Sequence, residues 1–264
     1  MEAMSTVGNA RLAEVAGDVL SALHEVLERH RVTEQEWMAA LAFLTEIGRA
    51  DEFVLLSDVT RTSVLIDALS HAGDEEGATA SDVEGPLYVE DPPVREGSPA
   101  KIYDEYEGMG DADVLIVGGR VTSAGGGEPL PEAIVDVWQT GPNGGYDIWD
   151  ERQPAFNFRG KIRPDADGNY AIQTMLPKPY TVPTDGPTGR YLEAVGQHPW
   201  RPAHIHFKVT APGHRPLVTQ VFFPGDPYLD DDTIGAVKPE LVRPVERRGE
   251  HLGCDFDIAL APAA

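Results

Sequence analysis

The sequence is poor in cysteine, in cations and in long apolar runs, and each shortage excludes something. One cysteine, Cys254, in 264 residues rules out an internal disulfide. It fits a reducing cytosol and reads as a small hydrophobe near the last strand. With 21 Lys+Arg against 44 Asp+Glu the formal charge is -23, without the basic footprint that nucleic acid or an anionic membrane surface needs. No stretch approaches the roughly 18 to 20 apolar residues of a membrane span. The opening MEAMSTVGNARLAEVAGDVL has no basic segment followed by an apolar one, so no signal peptide is expected and the expected location is cytoplasmic. Walker, dinucleotide-binding and paired CxxC patterns are missing too. Residues 165–176, DADGNYAIQTML, open like a calcium loop, but Tyr170 stands where glycine is required and Leu176 where glutamate is. They read as a hairpin turn.

What the sequence does hold has two textures. Apolar residues are 41% of the chain, enough for a sizeable core in one or two domains. In ARLAEVAGDVLSALHEVLERH, residues Leu12, Val15, Ala16, Val19, Leu23, Val26 and Leu27 recur at helical spacing. Thr33 and Glu36 make a capping-box signature, and Trp37, Leu41, Leu44 and Ile47 mark the apolar side of the helix that follows. A third helix is expected over residues 58–70. Beyond Pro92, Gly and Pro become frequent between short β-prone runs: ADVLIVGGRV, AIVDVWQT, NYAIQT, HIHFKV, VTQVFF and CDFDIAL. Several alternate with period two, as in Ile134 to Trp138, which predicts a β-sandwich or barrel. The expected fold is mainly β with an α-helical N-terminal region, divided into residues 1–92 and 93–264. The acidic run Asp230, Asp231, Asp232 reads as a solvated loop.

One stretch asks for an explanation. In RPAHIHFKV, residues 201–209, a strand would place His204 and His206 on one face, roughly 6 to 7 Å apart along the chain, with Ile205, Phe207 and Val209 on the other. Two imidazoles so placed suit one metal ion, and zinc, copper and iron all accept them. No cysteine cluster or suitably offset carboxylate accompanies them, and the other histidines read as structural. Tyr146 follows the glycine-rich GPNGG and Tyr180 is bracketed by prolines. Each sits on a rigid turn, either at the rim of a site or in a purely structural role.

The order GGY, PY with PTDGPTG, RPAHIHF, then TQVFFPGDPY resembles the intradiol ring-cleaving dioxygenases, the catechol 1,2-dioxygenase family, from about residue 35 onward. EGPLYV (84–89), DVWQTGPNGGY (136–146), QPAFNFRGKIR (153–163) and HPWRPAHIHF (198–207) belong to the same resemblance. It implies a non-haem Fe(III), one per subunit, held by Tyr146, Tyr180, His204 and His206. It also implies a β-sandwich catalytic domain and a helical N-terminal region that pairs subunits as a homodimer, often around a bound phospholipid. Phenolates are hard anions that favour Fe(III), and a phenol bound to such a cation loses its proton.

By the same resemblance the substrates are an aromatic diol and O2, and the ring opens between the two hydroxyl-bearing carbons. Tyr180 is expected to act as a base, with Arg201 and Gln220 stabilising charge on substrate and peroxide. A surface ion pair for Arg201 and an ordinary strand position for Gln220 are the plainer readings. The pocket is expected to be formed by Val64, Asp67, Glu84, Gly85, Pro86, Val182 and Pro183. PYTVPTDGPTG and HPWRPAHIHF look most like hydroxyquinol 1,2-dioxygenases, which open benzene-1,2,4-triol to 3-hydroxymuconate, the enol of maleylacetate. Asp67 would then meet the third hydroxyl, unless it caps or solvates a helix. EGPLYV leans toward the catechol enzymes, so catechol or a substituted catechol giving a muconate is the runner-up. A non-catalytic transthyretin-like binding module is the alternative from another class.

Overall fold

The computed structural model describes residues 9–263. The signal-peptide reading falls partly on residues 1–8, which lie outside the described residues. Among the described residues, 9–50 form one compact unit, built from α1 (Asn9–His30) and α2 (Glu34–Ala50). Helix α2 starts where the capping box placed it. The Thr33 N–H donates to Glu36 Oε2 at 2.8 Å and the Glu36 N–H donates to Thr33 Oγ1 at 3.3 Å, so two otherwise unpaired donors are satisfied reciprocally. Along α1, Leu12, Val15, Val19, Leu23 and Val26 stay exposed.

Residues 51–263 form the second unit. It opens with two helices, α3 (Phe53–Val59) and α4 (Thr62–His71), in place of the single helix expected over 58–70. The reason is local. Thr60 Oγ1 donates to the Leu56 carbonyl at 2.8 Å, and Arg61 adopts a left-handed φ of 60°, so the chain turns before α4 begins.

The strands are β1 (Ala100–Lys101), β2 (Val114–Ser123), β3 (Ile134–Gln139), β4 (Arg159–Ile162), β5 (Asn169–Met175) and β6 (Tyr180–Thr181). After α5 (Pro187–Val195) come β7 (Trp200–Arg201), β8 (His204–Thr210), β9 (Leu217–Phe222), β10 (Glu246–Arg248), β11 (His251–Asp255) and β12 (Ile258–Leu260). One sheet runs β1-β5-β2-β11-β10 with β12 also on β2, the second runs β4-β3-β8-β9, and β6 pairs with β7 alone. The two large sheets enclose one core, with Leu115, Val117 and Ile172 from the first and Val135, Val137, Ile205, Phe207 and Val209 from the second. Each such side chain, fully buried, stabilises by about 1.5 to 3 kcal/mol. Cys254, in β11, is buried among them.

The turn at 165–168 is tight, with Asp165 Oδ1 accepting the N–H groups of Asp167 and Asn169 at 2.9 Å, but it is not the expected hairpin. β4 before it and β5 after it belong to different sheets, so the turn carries the chain from one sheet to the other. Strand β3 does not alternate in burial as its sequence suggested. Its outer face is covered by Tyr88, whose hydroxyl donates to Asp136 Oδ2 at 3.0 Å and whose ring lies 4.9 Å from that of Trp138. Among the described residues no helix is long and apolar enough to cross a membrane.

Candidate functional site

Strand β8 divides its side chains as a strand must. Ile205, Phe207 and Val209 fill the sandwich core, and His204 and His206 face the other way, both buried. Their Nε2 atoms stand 3.1 Å apart. His204 Nδ1 donates to the Pro202 carbonyl at 2.7 Å, which leaves the lone pair on Nε2. His206 is held differently. Its Nδ1 has no hydrogen-bond partner, and its ring stacks on Trp138, its cross-strand neighbour on β3, at 4.6 Å and 4°. Burial, with the nearby Arg201 charge, pushes both imidazoles well below their ordinary pKa. Both are therefore neutral donors.

The two tyrosines arrive from turns. β6 pairs with β7 so that Tyr180 stands opposite Arg201, and its ring comes within 5.6 Å of His204. Tyr146 ends the glycine turn, in which Asn143 Oδ1 accepts the Gly145 N–H at 3.1 Å and Gly144 takes a left-handed φ of 79°. The Tyr146 ring packs edge-on against Tyr180 at 5.6 Å. Its hydroxyl is buried, with no partner in hydrogen-bonding geometry. Burial raises both phenol pKa values, and the Arg201 charge pulls that of Tyr180 back in part.

Among the described residues no group of three or more His, Cys, Asp or Glu could hold a metal ion. A cation at this place would need the tyrosines. Two neutral imidazoles whose Nε2 atoms meet and two phenols, that of Tyr146 with its oxygen unpartnered, form a mixed N and O donor set that fits a hard, highly charged metal ion.

Arg201 bounds the cluster. It is buried, not on the surface: it pairs with Asp232 at 3.2 and 3.3 Å and donates to Gln220 Oε1 at 3.2 Å. Gln220 in turn donates to the Val83 carbonyl at 2.9 Å. Burial opposes the Arg201 charge, and Asp232, Tyr180 and Asp82 outweigh it. The acidic run is thus split: Asp232 is buried under Arg201, while Asp231 stays exposed and meets His198. Above these groups lies a pocket with about 360 Å³ of unfilled space including its mouth, with Tyr180, Arg201 and His206 in its lining.

Residues 83–262 match the dioxygenase family, and residues 9–78 match the catechol dioxygenase N terminus. A chlorocatechol 1,2-dioxygenase of Pseudomonas putida is 41% identical over 89% of this chain and 86% of its own length. A hydroxyquinol 1,2-dioxygenase of Rhizobium sp. (strain MTP-10005) is 38% identical over 98% of this chain and 92% of its own. The solved catechol 1,2-dioxygenase of Acinetobacter sp. ADP1, inhibited by bound mercury, gives a TM-score of 0.88 at 34% identity, covering 97% of this chain and 88% of that one. This chain belongs to the intradiol ring-cleaving dioxygenases.

As an intradiol dioxygenase it is an enzyme, and the non-catalytic carrier is set aside. Of the residues expected around its ring pocket, Glu84, Gly85, Pro86, Val182 and Pro183 are in the lining. Val64 and Asp67 are not. Val64 packs half-buried against the cluster that contains Leu55, Val59 and Ile234. The Asp67 carboxylate is engaged elsewhere: Lys238 Nζ lies 2.8 Å from it, Ser81 Oγ donates to it at 3.0 Å, and His71 Nδ1 is 3.1 Å away. It borders an adjoining open hollow that shares Asp58, Glu84 and Gly85 with the pocket. Two carboxylates line the pocket: Glu84, paired with Lys208 at 2.8 Å, and Asp58, buried, with its pKa raised by that burial.

Leu55, Asp58, Leu87 and Ile234 line the same pocket without having been foreseen. For Leu55 and Asp58 a signal existed, since three residues apart on a helix they share a face. The break at Arg61 decides which helix face reaches the pocket.

Proposed function

We propose that this dioxygenase binds one Fe(III) per subunit through Tyr146, Tyr180, His204 and His206, and that its preferred substrate is benzene-1,2,4-triol. The observation that carries the reading is the meeting of two tyrosines with the His204–His206 pair at the foot of a pocket lined by Tyr180, Arg201 and His206. The bound ferric ion supplies Lewis acidity toward a chelating diol and draws electron density from the ring, so that O2 can react with it. Both oxygen atoms enter the product, so no external reductant is needed.

The chain's own groups do the rest. Tyr180 lines the pocket and takes a proton from one substrate hydroxyl at Oη. Arg201, kept cationic by Asp232, and Gln220, fixed by Val83, offer N–H donors to negative charge developing on the substrate and on the oxygen that attacks it. Leu55, Leu87, Val182 and Ile234 exclude water from the ring.

Asp58 supports the triol. A buried carboxyl at the pocket wall can hydrogen-bond a third ring hydroxyl, and such a contact discriminates strongly against a ring that lacks it. The competing reading is a chlorinated or plain catechol, favoured by the aliphatic remainder of the same wall. Steady-state kinetics on both rings test it. The triol should exceed catechol in kcat/KM by about tenfold or more, and equal efficiency would return the assignment to a catechol enzyme.

For partners, the exposed row Leu12, Val15, Val19, Leu23 and Val26 on α1 supports a homodimer that buries it. A phospholipid held at that contact is the accompanying expectation, with mass spectrometry of an organic extract as its test. The lone, buried thiol of Cys254 supports a cytoplasmic location.

A further inference from the structure

Helix α5 has no side-chain cap of its own, because Gly186 precedes it. Its Thr188 N–H donates instead to Glu52 Oε2 at 2.7 Å, a carboxylate 136 residues earlier in the chain. Glu52 stands at the start of α3 but gives that helix no side-chain cap. Its charge sits at the N-terminus of α5, where the helix dipole favours it. Space for it depends on Gly186. The backbone there is extended, at φ -96° and ψ -173°, so any residue could adopt it, yet a Cβ would collide with Glu52 Oε1.

The far ends of the two helices are tied as well. Gln197, just beyond α5, donates through Nε2 to the carbonyl of Val59, the last residue of α3, at 3.3 Å, and to that of Thr233 at 2.6 Å. Between the ties, Leu55 and Val59 of α3 share a cluster with Leu192 of α5, Val182 and Ile234. Three of these, Leu55, Val182 and Ile234, also line the ring pocket, together with Asp58 of α3.

We propose that Glu52 is a positioning residue. It locks α5 to α3 at their N-termini and so fixes the distance between the Leu55–Asp58 wall and the Val182–Pro183 wall. This pair of walls sets how tightly a ring is gripped, without touching the metal-ligand set. The proposal rests on the assignment of this pocket to the ring.

The test is a set of variants in the full-length, iron-loaded enzyme: Glu52→Ala, Glu52→Gln, Gly186→Ala and the Glu52→Ala/Gly186→Ala double. Glu52→Ala should raise KM for the diol by about tenfold while kcat stays within about threefold and the visible absorption band does not move. Gly186→Ala should reproduce this by expelling the carboxylate, and the double variant should be no worse than either single, because both remove one contact. Glu52→Gln, whose amide oxygen still accepts the Thr188 N–H, should restore most of the grip. Amide exchange at Thr188 reads the lock directly and should speed up in Glu52→Ala and in Gly186→Ala. Faster exchange with unchanged KM would overturn the proposal, as would additive effects of the two substitutions. A wild-type protein that cleaves no ring would overturn the functional reading instead, while the exchange difference at Thr188 would remain measurable.

Discussion

The floor and the wall of the ring pocket are built in opposite ways. The floor takes its histidines and Gln220 from neighbouring positions of a continuous sheet, where Trp138, His206 and Gln220 stand abreast across β3, β8 and β9. The wall is assembled from short pieces: α3, the segment around Glu84 to Leu87, the proline-rich turn after Tyr180, and Ile234. Positions in a ladder are fixed by many backbone hydrogen bonds at once, so a floor residue has one place to be. A wall residue depends on a few side-chain ties. The floor should therefore decide whether chemistry occurs, and the wall which ring undergoes it.

The largest effect should come from the floor. His204→Ala or His206→Ala removes one of the two imidazoles, and among the described residues no group of three or more His, Cys, Asp or Glu offers another metal site. Iron content by elemental analysis should fall to background and turnover by at least about a thousandfold. Stoichiometric iron with normal turnover would break the comparison at its root. Next in size, Tyr146→Phe and Tyr180→Phe should each bleach or shift a visible tyrosinate-to-iron band and lower kcat by about a hundredfold. An unchanged spectrum removes that tyrosine from the ligand set.

Wall substitutions should act on selectivity. Asp58→Ala is expected to lower kcat/KM for the triol by about tenfold and to leave catechol nearly unaffected. Asp67→Ala should leave the ratio of the two rings unchanged and cost about 1 to 2 kcal/mol of stability in a denaturant melt, because Lys238 and Ser81 Oγ lose the carboxylate they share. If Asp67 rather than Asp58 sets the ratio, the placement of the two helices is wrong.

The smallest effect is a difference in pH response. In the metal-free protein His204 and His206 have lowered pKa values, so the unfolded chain binds protons that the floor refuses, and stability falls as pH drops below about 6.5. Behind the wall, burial raises Asp82 from 3.8 to about 7, and its Oδ2 has no partner. Here the folded chain holds the proton longer, so stability falls as pH rises through that window. Asp82→Asn should remove this loss. Its advantage over the wild type should grow between pH 4 and pH 8, by an amount on the order of a few kcal/mol at most.

The same contrast governs what could be read from the sequence. HIHFKV announces a strand and its two faces because alternation is local, and Thr33 with Glu36 announces a helix start for the same reason. Asp58 and Asp67 cannot be told apart that way. Each follows a leucine-rich turn of helix, in LLSD and VLID, and only the left-handed Arg61 between them aims the two helices differently. Asp232 looked solvated because three consecutive acids usually are, and its partner Arg201 lies 31 residues away. The covering of β3 by Tyr88, 48 residues from Asp136, is long-range in the same sense. Contacts of that kind are settled by tertiary packing and leave no local period.

The threading of the first sheet has a consequence for how the molecule comes into being. β2 is flanked on one edge by β11 and β12, both parallel to it, and Arg120 donates its N–H to Asp257 at 2.8 Å, 137 positions further along the chain. Gly119 has no room for a Cβ because Phe256 presses its carbonyl there, so the fit is close. Parallel pairing across such a separation must pay loop-closure entropy before any contact rewards it. During synthesis β2 therefore leaves the ribosome with that edge bare, and it stays bare until residues 251–260 emerge. The nascent chain holds an open, aggregation-prone strand for about half of its translation, and folding of this unit should be slow and dependent on chaperone protection far more than its final stability suggests.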